Sequence, residues 1–286
     1  MTRFAVDRSP RGLVAVTGPD ATTFLQSLLS QDLEPVADGA VVPTLLLTPQ
    51  GKLDVALRAL RAGAEWWLDT DAAYGPRLAA SLARFRIRVH VDLEDRTDTT
   101  GLGSLVGADV EAPPGVRALP TRWGELAGTD LLGPRAAVAA ALDALPADVP
   151  RWPAERLEAF RIEAGVPRLG VDVDEATIPQ EAFLERDAVS FTKGCFLGQE
   201  LVCRIDTRGH VNRYLRRLDV PGRAVPPPGA AVVVDGRERG AVTSAAADPD
   251  TRRVVALAMV RREVEPPAEA RLRWDGHDEP VGVRAI

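Results

Sequence analysis

The sequence predicts an α+β protein that ends in a small β-barrel or sandwich. Three observations point there. Hairpin-spaced strand patterns fill residues 41–70, apolar stripes of helical period occur near 20–33, 75–86 and 153–164, and short Val-rich runs follow a turn-rich break at 221–229. Strands and helices mixed in this way suit antiparallel sheets with packed helices. They do not follow the regular strand–helix alternation of a parallel doubly wound sheet.

Taken in order, "GLVAVTGPDATTFLQSLLSQDL" reads as a strand and then a helix. Val14 and Val16 alternate with smaller residues, Pro19 sits where a first helical residue is favoured, and Phe24, Leu25, Leu28 and Leu29 form one stripe. "VVPTLLLTPQGKLDVALRALRAGAEWWLDT" reads as three strands, with turns at Pro49-Gln50-Gly51 and Ala62-Gly63. "GPRLAASLARFR" returns to helical spacing through Leu78, Leu82 and Phe85, and strands are expected at "RVHVDL" and "TGLGSLVG". The segment from Leu131 to Gly165 reads as mostly helical. Pro153 opens its last helix, in which Leu157, Phe160 and Ala164 share a face, and Gly165 with Pro167 ends it. After "PGRAVPPPG" come "AAVVVDG", "GAVTSAA", "RRVVALAMV", "ARLRW" and "PVGVRAI", short strands with regular turns. The expected division is an α+β region at 1–205 and a β-barrel domain at 206–286.

Composition narrows the function classes. A chain of 286 residues suits roughly two domains. Its 45% hydrophobic and 27% charged residues are those of a soluble globular protein. The net charge is −6, from 35 basic and 41 acidic residues, which argues against a general nucleic-acid or membrane-surface binder. Two cysteines build no secreted disulfide framework, and the first residues hold no apolar run of signal-peptide length. No run of about 18 apolar residues occurs anywhere. A cytoplasmic protein is expected, with a monomer as the working assumption.

Several familiar motifs are absent. Gly101 to Gly107 has the wrong spacing for a dinucleotide fingerprint, and there is no GxxxxGK[ST] phosphate loop. His90, His210 and His277 have no partners at metal-ligand spacing, and Cys195 and Cys203 lie eight residues apart, so no metal site is expected. His90, in a strand-like run, reads as structural.

One stretch stands out. In "SFTKGCFLGQELVCR" an extended segment, Val189 to Phe191, leads into Lys193, Gly194, Cys195 and Gly198 before an apolar pattern resumes. The glycines allow a tight loop and the close approach of a ligand to the backbone. A thiol just ahead of a helix start and beside a lysine has surroundings that favour the thiolate. Between Lys193 and Arg217 six basic residues (Lys193, Arg204, Arg208, Arg213, Arg216, Arg217) face only Glu200 and Asp206, a local excess that would draw an anionic ligand or partner. The plainer readings are that a lone cysteine is a small buried hydrophobe and that an arginine-rich strand is a solvated face. Cys203, among Leu201, Val202 and Ile205, fits the plainer one.

"KGCFLGQE", Lys193 to Glu200, resembles the K-G-C-[YF]-x-G-Q-E signature of the YgfZ-type folate-binding family, a relative of the glycine-cleavage T-protein, the aminomethyltransferase. "RIEAGVPRLGVD" (161–172) is similar to the R-x-E-A-G-x-P stretch of both branches, and "IPQEAFLE" (178–185) to the P-x-E-A-x-L segment after it. "VTGPDATTFLQSLLSQDL" and "LLLTPQGKL" resemble the family's N-terminal part. The resemblance implies T-protein-like lobes of antiparallel sheet and helices around a central opening that holds tetrahydrofolate, plus a small C-terminal barrel. It implies a role in assembling or repairing iron–sulfur clusters in client proteins, with downstream effects on tRNA modification and no direct contact with nucleic acid.

On this reading Cys195 is the working residue. Lys193, Gln199, Glu200 and Arg204 would orient its thiolate or a ligand, although Gln199 and Glu200 equally suit capping and bracing the loop. Glu163 and Glu181 match the family's acidic positions and could accept a forked pair of hydrogen bonds from a pterin, with Gly194 and Gly198 lining the ligand. The basic stretch would take the anionic tail of the folate. Two departures bear on the activity. Where the T-protein places aspartates after the glycine turn, this chain has Val55 and Ala56; Asp54 is one residue early and on the other face of a regular strand. Arg11 and Leu157 stand where some members use tryptophans beside the folate. The rival readings are a folate-dependent aminomethyl or one-carbon transferase and a non-catalytic scaffold that binds folate or a client.

Overall fold

The computed structural model describes residues 3–108 and 110–286. The chain opens with β1 (Phe4–Asp7), β2 (Arg11–Thr17), α1 (Ala21–Leu28), β3 (Val41–Leu47), β4 (Leu53–Ala62), β5 (Glu65–Asp71) and α2 (Gly75–Ala83). It continues through β6 (Asp92–Asp95), β7 (Thr100–Val106), β8 (Arg117–Trp123), β9 (Leu126–Pro134) and α3 (Arg135–Asp143). Three helices follow, α4 (Ala154–Glu163), α5 (Glu185–Ala188) and α6 (Gln199–Arg208). The last strands are β10 (Arg213–Val220), β11 (Ala231–Val234), β12 (Arg237–Ala247), β13 (Val254–Arg261), β14 (Ala268–Trp274) and β15 (His277–Arg284). The fold is α+β and its sheets are antiparallel, as the sequence predicts.

Two compact units result. The first takes Met1–Arg122, Leu126–Arg151 and Leu184–Arg204, and the second takes Trp123–Glu125, Trp152–Phe183 and Ile205–Ile286. In the first, one sheet runs β3-β4-β5-β2-β6 and the other β1-β7-β9-β8. Leu13 and Leu60 of one pack on Leu102, Leu119 and Leu132 of the other. Helix α3 lays Val138, Ala141 and Leu142 over Ala5, Leu105 and Leu131, and each fully buried valine or leucine contributes roughly 1.5–3 kcal/mol. The register of β3 on β4 slips between Leu46 and Leu47, so that Leu46 faces Val55 and Leu47 faces Leu53. Asp54 is therefore the extra residue of a bulge.

The second unit is built on a closed six-stranded barrel, β10-β13-β12-β11-β14-β15. Its interior holds Leu218, Val232, Val242, Ala256, Ala258, Leu272 and Val283. Helix α4 packs on β12 and β13, and a buried ionic knot fixes it there. Arg161 donates to Asp172 at 2.7 Å, while the same carboxylate accepts from Ser244 at 2.7 Å and Thr243 at 2.5 Å. A bulge between Val242 and Ser244 lets two successive hydroxyls reach one group, which regular strand alternation forbids. The resemblance stretch 161–172 thus begins and ends on one buried ion pair.

Two sequence expectations shift. The strand expected at "RVHVDL" starts only at Asp92, because its pairing with β2 begins at the Thr17–Asp92 contact. The segment expected to be mostly helical contains the end of β9 and an irregular stretch between α3 and α4. Pro146, Pro150 and Pro153 explain the break. Among the described residues no helix is long and apolar enough to cross a membrane.

Candidate functional site: the Cys195 loop and its surroundings

Residues 189–198 link α5 to α6 and are strapped onto the end of α1. The Ser190 amide donates to the Ser30 carbonyl at 2.9 Å and the Leu197 amide to the Ser27 carbonyl at 3.2 Å. The central anchor is Lys193. Its ammonium donates to the carbonyls of Gln26, Leu29 and Gln31 at 2.7, 2.7 and 2.9 Å. These carbonyls lie in the last turn of α1 and just past it, where helix carbonyls lack backbone donors and a cation is favoured. An ammonium has three N–H donors, and all three are engaged. Burial in this cage pulls the Lys193 pKa down to about 8, with Asp32 and Glu34 acting against the fall. The lysine expected to attend the thiol therefore holds the loop to the helix.

Gly198 has φ +76°, and a Cβ there would collide with the Thr48 carbonyl oxygen and come within 2.9 Å of the Leu47 Cβ. Gly51, at φ +75°, faces it: a Cβ on Gly51 would lie 2.8 Å from the Gly198 carbonyl oxygen and 2.7 Å from the Leu201 Cβ. The close approach that Gly198 permits is to the β3–β4 turn. At Gly194 a Cβ would meet nothing within 4 Å. Gln199 turns its Oε1 back to accept from the Phe196 amide at 3.1 Å, so it braces the loop. Phe196 is buried, with the Lys193 ammonium 5.5 Å from its ring centroid.

Between these anchors Cys195 is exposed as a free thiol, next to exposed Gly194. Cys203 is half-buried on α6 and forms no disulfide with it. Glu200 and Arg204 lie exposed on α6. The structure thus gathers Lys193, Gly194, Cys195, Gly198 and Gln199 into one loop and gives all but Gly194 and Cys195 a supporting task.

The two carboxylates expected to receive a pterin belong to the second unit and already have partners. Glu181, buried in a short 3-10 turn, accepts a fork from Arg213 at 3.0 and 3.1 Å and a further bond from the Ile178 amide at 3.2 Å. Glu163 ends α4 and pairs with Arg253 at 2.6 Å. A pterin edge needs both oxygens of one carboxylate; Glu181 has both in the Arg213 fork, and Glu163 has one in an ion pair. In this arrangement the expected residues do not fit tetrahydrofolate. The basic stretch is likewise tied down: besides Arg213, Arg217 donates to the Glu163 carbonyl at 2.8 Å, and Arg216 lies buried over the stacked rings of Phe183 and Tyr214. Arg11 is bound by Asp69 and Asp71, both at 2.8 Å, and Leu157 is a half-buried residue of α4.

A group that sequence reasoning set aside lies beside the loop. The bulge re-aims Asp54 into a cavity of about 340 Å³ lined by Leu47, Thr48, Arg77, Arg84, Phe85 and Leu197, among others. Asp54 is buried there and accepts from Arg77 and Ser81, each at 2.7 Å. Unbroken alternation would turn Asp54 to the other face of the strand, and the bulge removes that alternation. Val55 is fully buried, so it offers no acid substitute.

No protein-family model matches the chain. Among curated proteins it is 28% identical to an aminomethyltransferase of Rubrobacter xylanophilus, over 98% of this chain and 81% of the relative. It is 26% identical to the tRNA-modifying protein YgfZ of Klebsiella pneumoniae, over 92% of this chain and 86% of that one. Similarity to the mitochondrial iron–sulfur cluster assembly factor IBA57 homolog of Mycosarcoma maydis is 28% identity over 79% of this chain, which spans 59% of the relative's length. The crystal structure of aminomethyltransferase T from Bartonella henselae superposes with a TM-score of 0.85 at 21% identity, covering 99% of this chain and 85% of that chain, so the fold is T-protein-like. Over most of its length the chain is therefore similar to aminomethyltransferase, YgfZ and IBA57 proteins, and it shares the T-protein-like fold.

Proposed function

We propose that the protein is an assembly or repair factor for iron–sulfur proteins that works through the thiol of Cys195, with an indirect effect on tRNA modification. One observation carries the reading: Cys195 is exposed at the crest of a loop whose flanking residues are committed to holding it in place. The names of two relatives, an iron–sulfur cluster assembly factor and a tRNA-modifying protein, support it. One thiolate cannot ligate a cluster alone, so Cys195 would contact a cluster or sulfur species on a client protein transiently.

Tetrahydrofolate, the cofactor the resemblance implies, has no step in this account. Its binding through Glu181 requires that the Arg213 fork open first. One-carbon transfer is the second reading, and the observation in its favour is Asp54, which the bulge directs into the cavity beside Leu197. It is the weaker reading because Arg77 and Ser81 occupy both Asp54 oxygens.

The test is made in cells from which the gene has been deleted. Activities of iron–sulfur enzymes, and tRNA modifications that depend on such enzymes, should fall and recover when the gene is restored. Unchanged activities, or release of methylene-tetrahydrofolate from an aminomethyl donor by the purified protein, would contradict the assembly role.

A further inference from the structure

A cavity of about 520 Å³ in the second unit, at the end of the barrel, belongs to neither the Cys195 loop nor the carboxylates discussed above. Four arginines enter its lining, Arg223, Arg252, Arg253 and Arg284, against the carboxylates of Asp219 and Glu269. Arginines outnumber carboxylates among the lining residues by two, with Glu163, paired to Arg253 at 2.6 Å, and Glu279, beside Gly222, at the margin of the cavity. The pairing within it is incomplete. Asp219 is shared, accepting from Arg284 at 2.9 Å and lying 3.6 Å from Arg253. Arg223 and Arg252 make no ion pair among the described residues. Register adds to the imbalance, because Arg284 on β15 stands directly opposite Arg217 on β10. Like charges in such cross-strand pairs repel.

The arginines are also pre-positioned. The β12–β13 turn is pinned by the Asp248 carboxylate, which accepts from the amides of Asp250 and Thr251 at 2.9 and 2.7 Å and from the Thr251 hydroxyl at 3.0 Å. Arg252 is held at φ +60° by this turn, with its amide on the Asp248 carbonyl at 2.9 Å. The backbone that carries Arg252 and Arg253 is thus ordered before any ligand arrives, which lowers the cost of binding. Val220, Pro221, Pro280 and Val281 supply an apolar wall. The volume is within the range of small-molecule sites, roughly 300–1,000 Å³.

We propose that this cavity binds a small molecule bearing oxyanion groups, phosphate or carboxylate, on a partly apolar body. Planar guanidinium forks match both oxyanions in a two-point fashion that a lysine cluster would not. Arg223 and Arg252 act as the primary donors, and Arg284 and Arg253 turn their remaining N–H groups to the ligand while keeping Asp219 and Glu163.

Calorimetric titration of the full chain with pyrophosphate and, separately, citrate tests this. Saturable binding of either probe should weaken at least tenfold in the Arg223→Glu/Arg252→Glu double variant. It should remain within about twofold in Arg237→Glu/Arg239→Glu, which makes the same charge change outside the cavity. Both variants alter exposed or half-exposed positions, and matching thermal melts confirm that they fold. The probe that binds more tightly identifies the favoured oxyanion. Absence of saturable binding with both probes, or an equal loss in the two double variants, overturns the proposal.

Discussion

Replacing Lys193 by Met keeps the apolar stem of the side chain and removes the three donors that hold α1 to the Cys195 loop. Hydrogen bonds to a charged group contribute about 1.5–3 kcal/mol each, so three set a ceiling near 5–9 kcal/mol. Two effects reduce it. The desolvation that lowers the Lys193 pKa to about 8 no longer opposes folding in the variant. Water can also reach the vacated carbonyls, since the site is only half-buried. A net loss of about 2–3 kcal/mol remains, which corresponds to a fall in Tm of roughly 5–10 °C. Thermal and urea melts read the loss, and alkylation of Cys195 in a Cys203→Ala background reads the loop. The Cys195 alkylation rate at fixed pH should change several-fold in Lys193→Met as the loop leaves its seat. If the variant melts within 1 °C of the parent and alkylates at the same rate, the carbonyl cage is not what positions the thiol.

Other substitutions separate the parts of the account. Gly198→Ala combines a positive φ with a backbone collision and should cost about 2–4 kcal/mol in a urea melt, whereas Gly194→Ala should stay within about 0.5 kcal/mol. Asp172→Ala takes the fully buried carboxylate from Arg161, which keeps only Glu158 at 2.7 Å, and should cost about 2–4 kcal/mol, read on the second unit's melting transition. Asp69 governs part of the acid response. Burial alone would raise its pKa, but Arg58 and Arg11 outweigh that and hold it well below the usual carboxylate range. As pH falls past about 4 the unfolded carboxylate takes up a proton while the folded one stays ionised, so stability is present above that pH and is lost below it. The urea midpoint should therefore fall between about pH 4 and 2, and less steeply in Asp69→Asn.

What could be read from the sequence follows from how local its cause is. The barrel strands and α1 were legible because Val and Leu at period two or 3.6 declare themselves within a few residues. Gly198 was legible as a special backbone position. The turn at Pro49-Gln50-Gly51 was legible too, but the contact between the two spans about 150 residues and leaves no local mark. The same distance problem hid the arginines that occupy Glu181 and Glu163, since Arg213 and Arg253 lie 32 and 90 residues along the chain. Read locally, Arg213 and Arg217 looked like charge available to a ligand; in the fold they serve neighbours. Asp54 escaped because a bulge is a property of the pairing between two strands, and a single strand's alternation does not reveal it. Cys195 was identified by a family signature, and the fold accounts for the residues around it one at a time.

The central claim is that Cys195, presented by this loop, is the group through which the protein acts. Its most direct test is the activity of iron–sulfur enzymes in the deletion strain, rescued in parallel with wild type, Cys195→Ser and Cys203→Ser, each expressed to the same level. Cys195→Ser should give no rescue and Cys203→Ser full rescue, with unchanged melting of both purified variants. Full rescue by Cys195→Ser, or equal failure of the two, would contradict it.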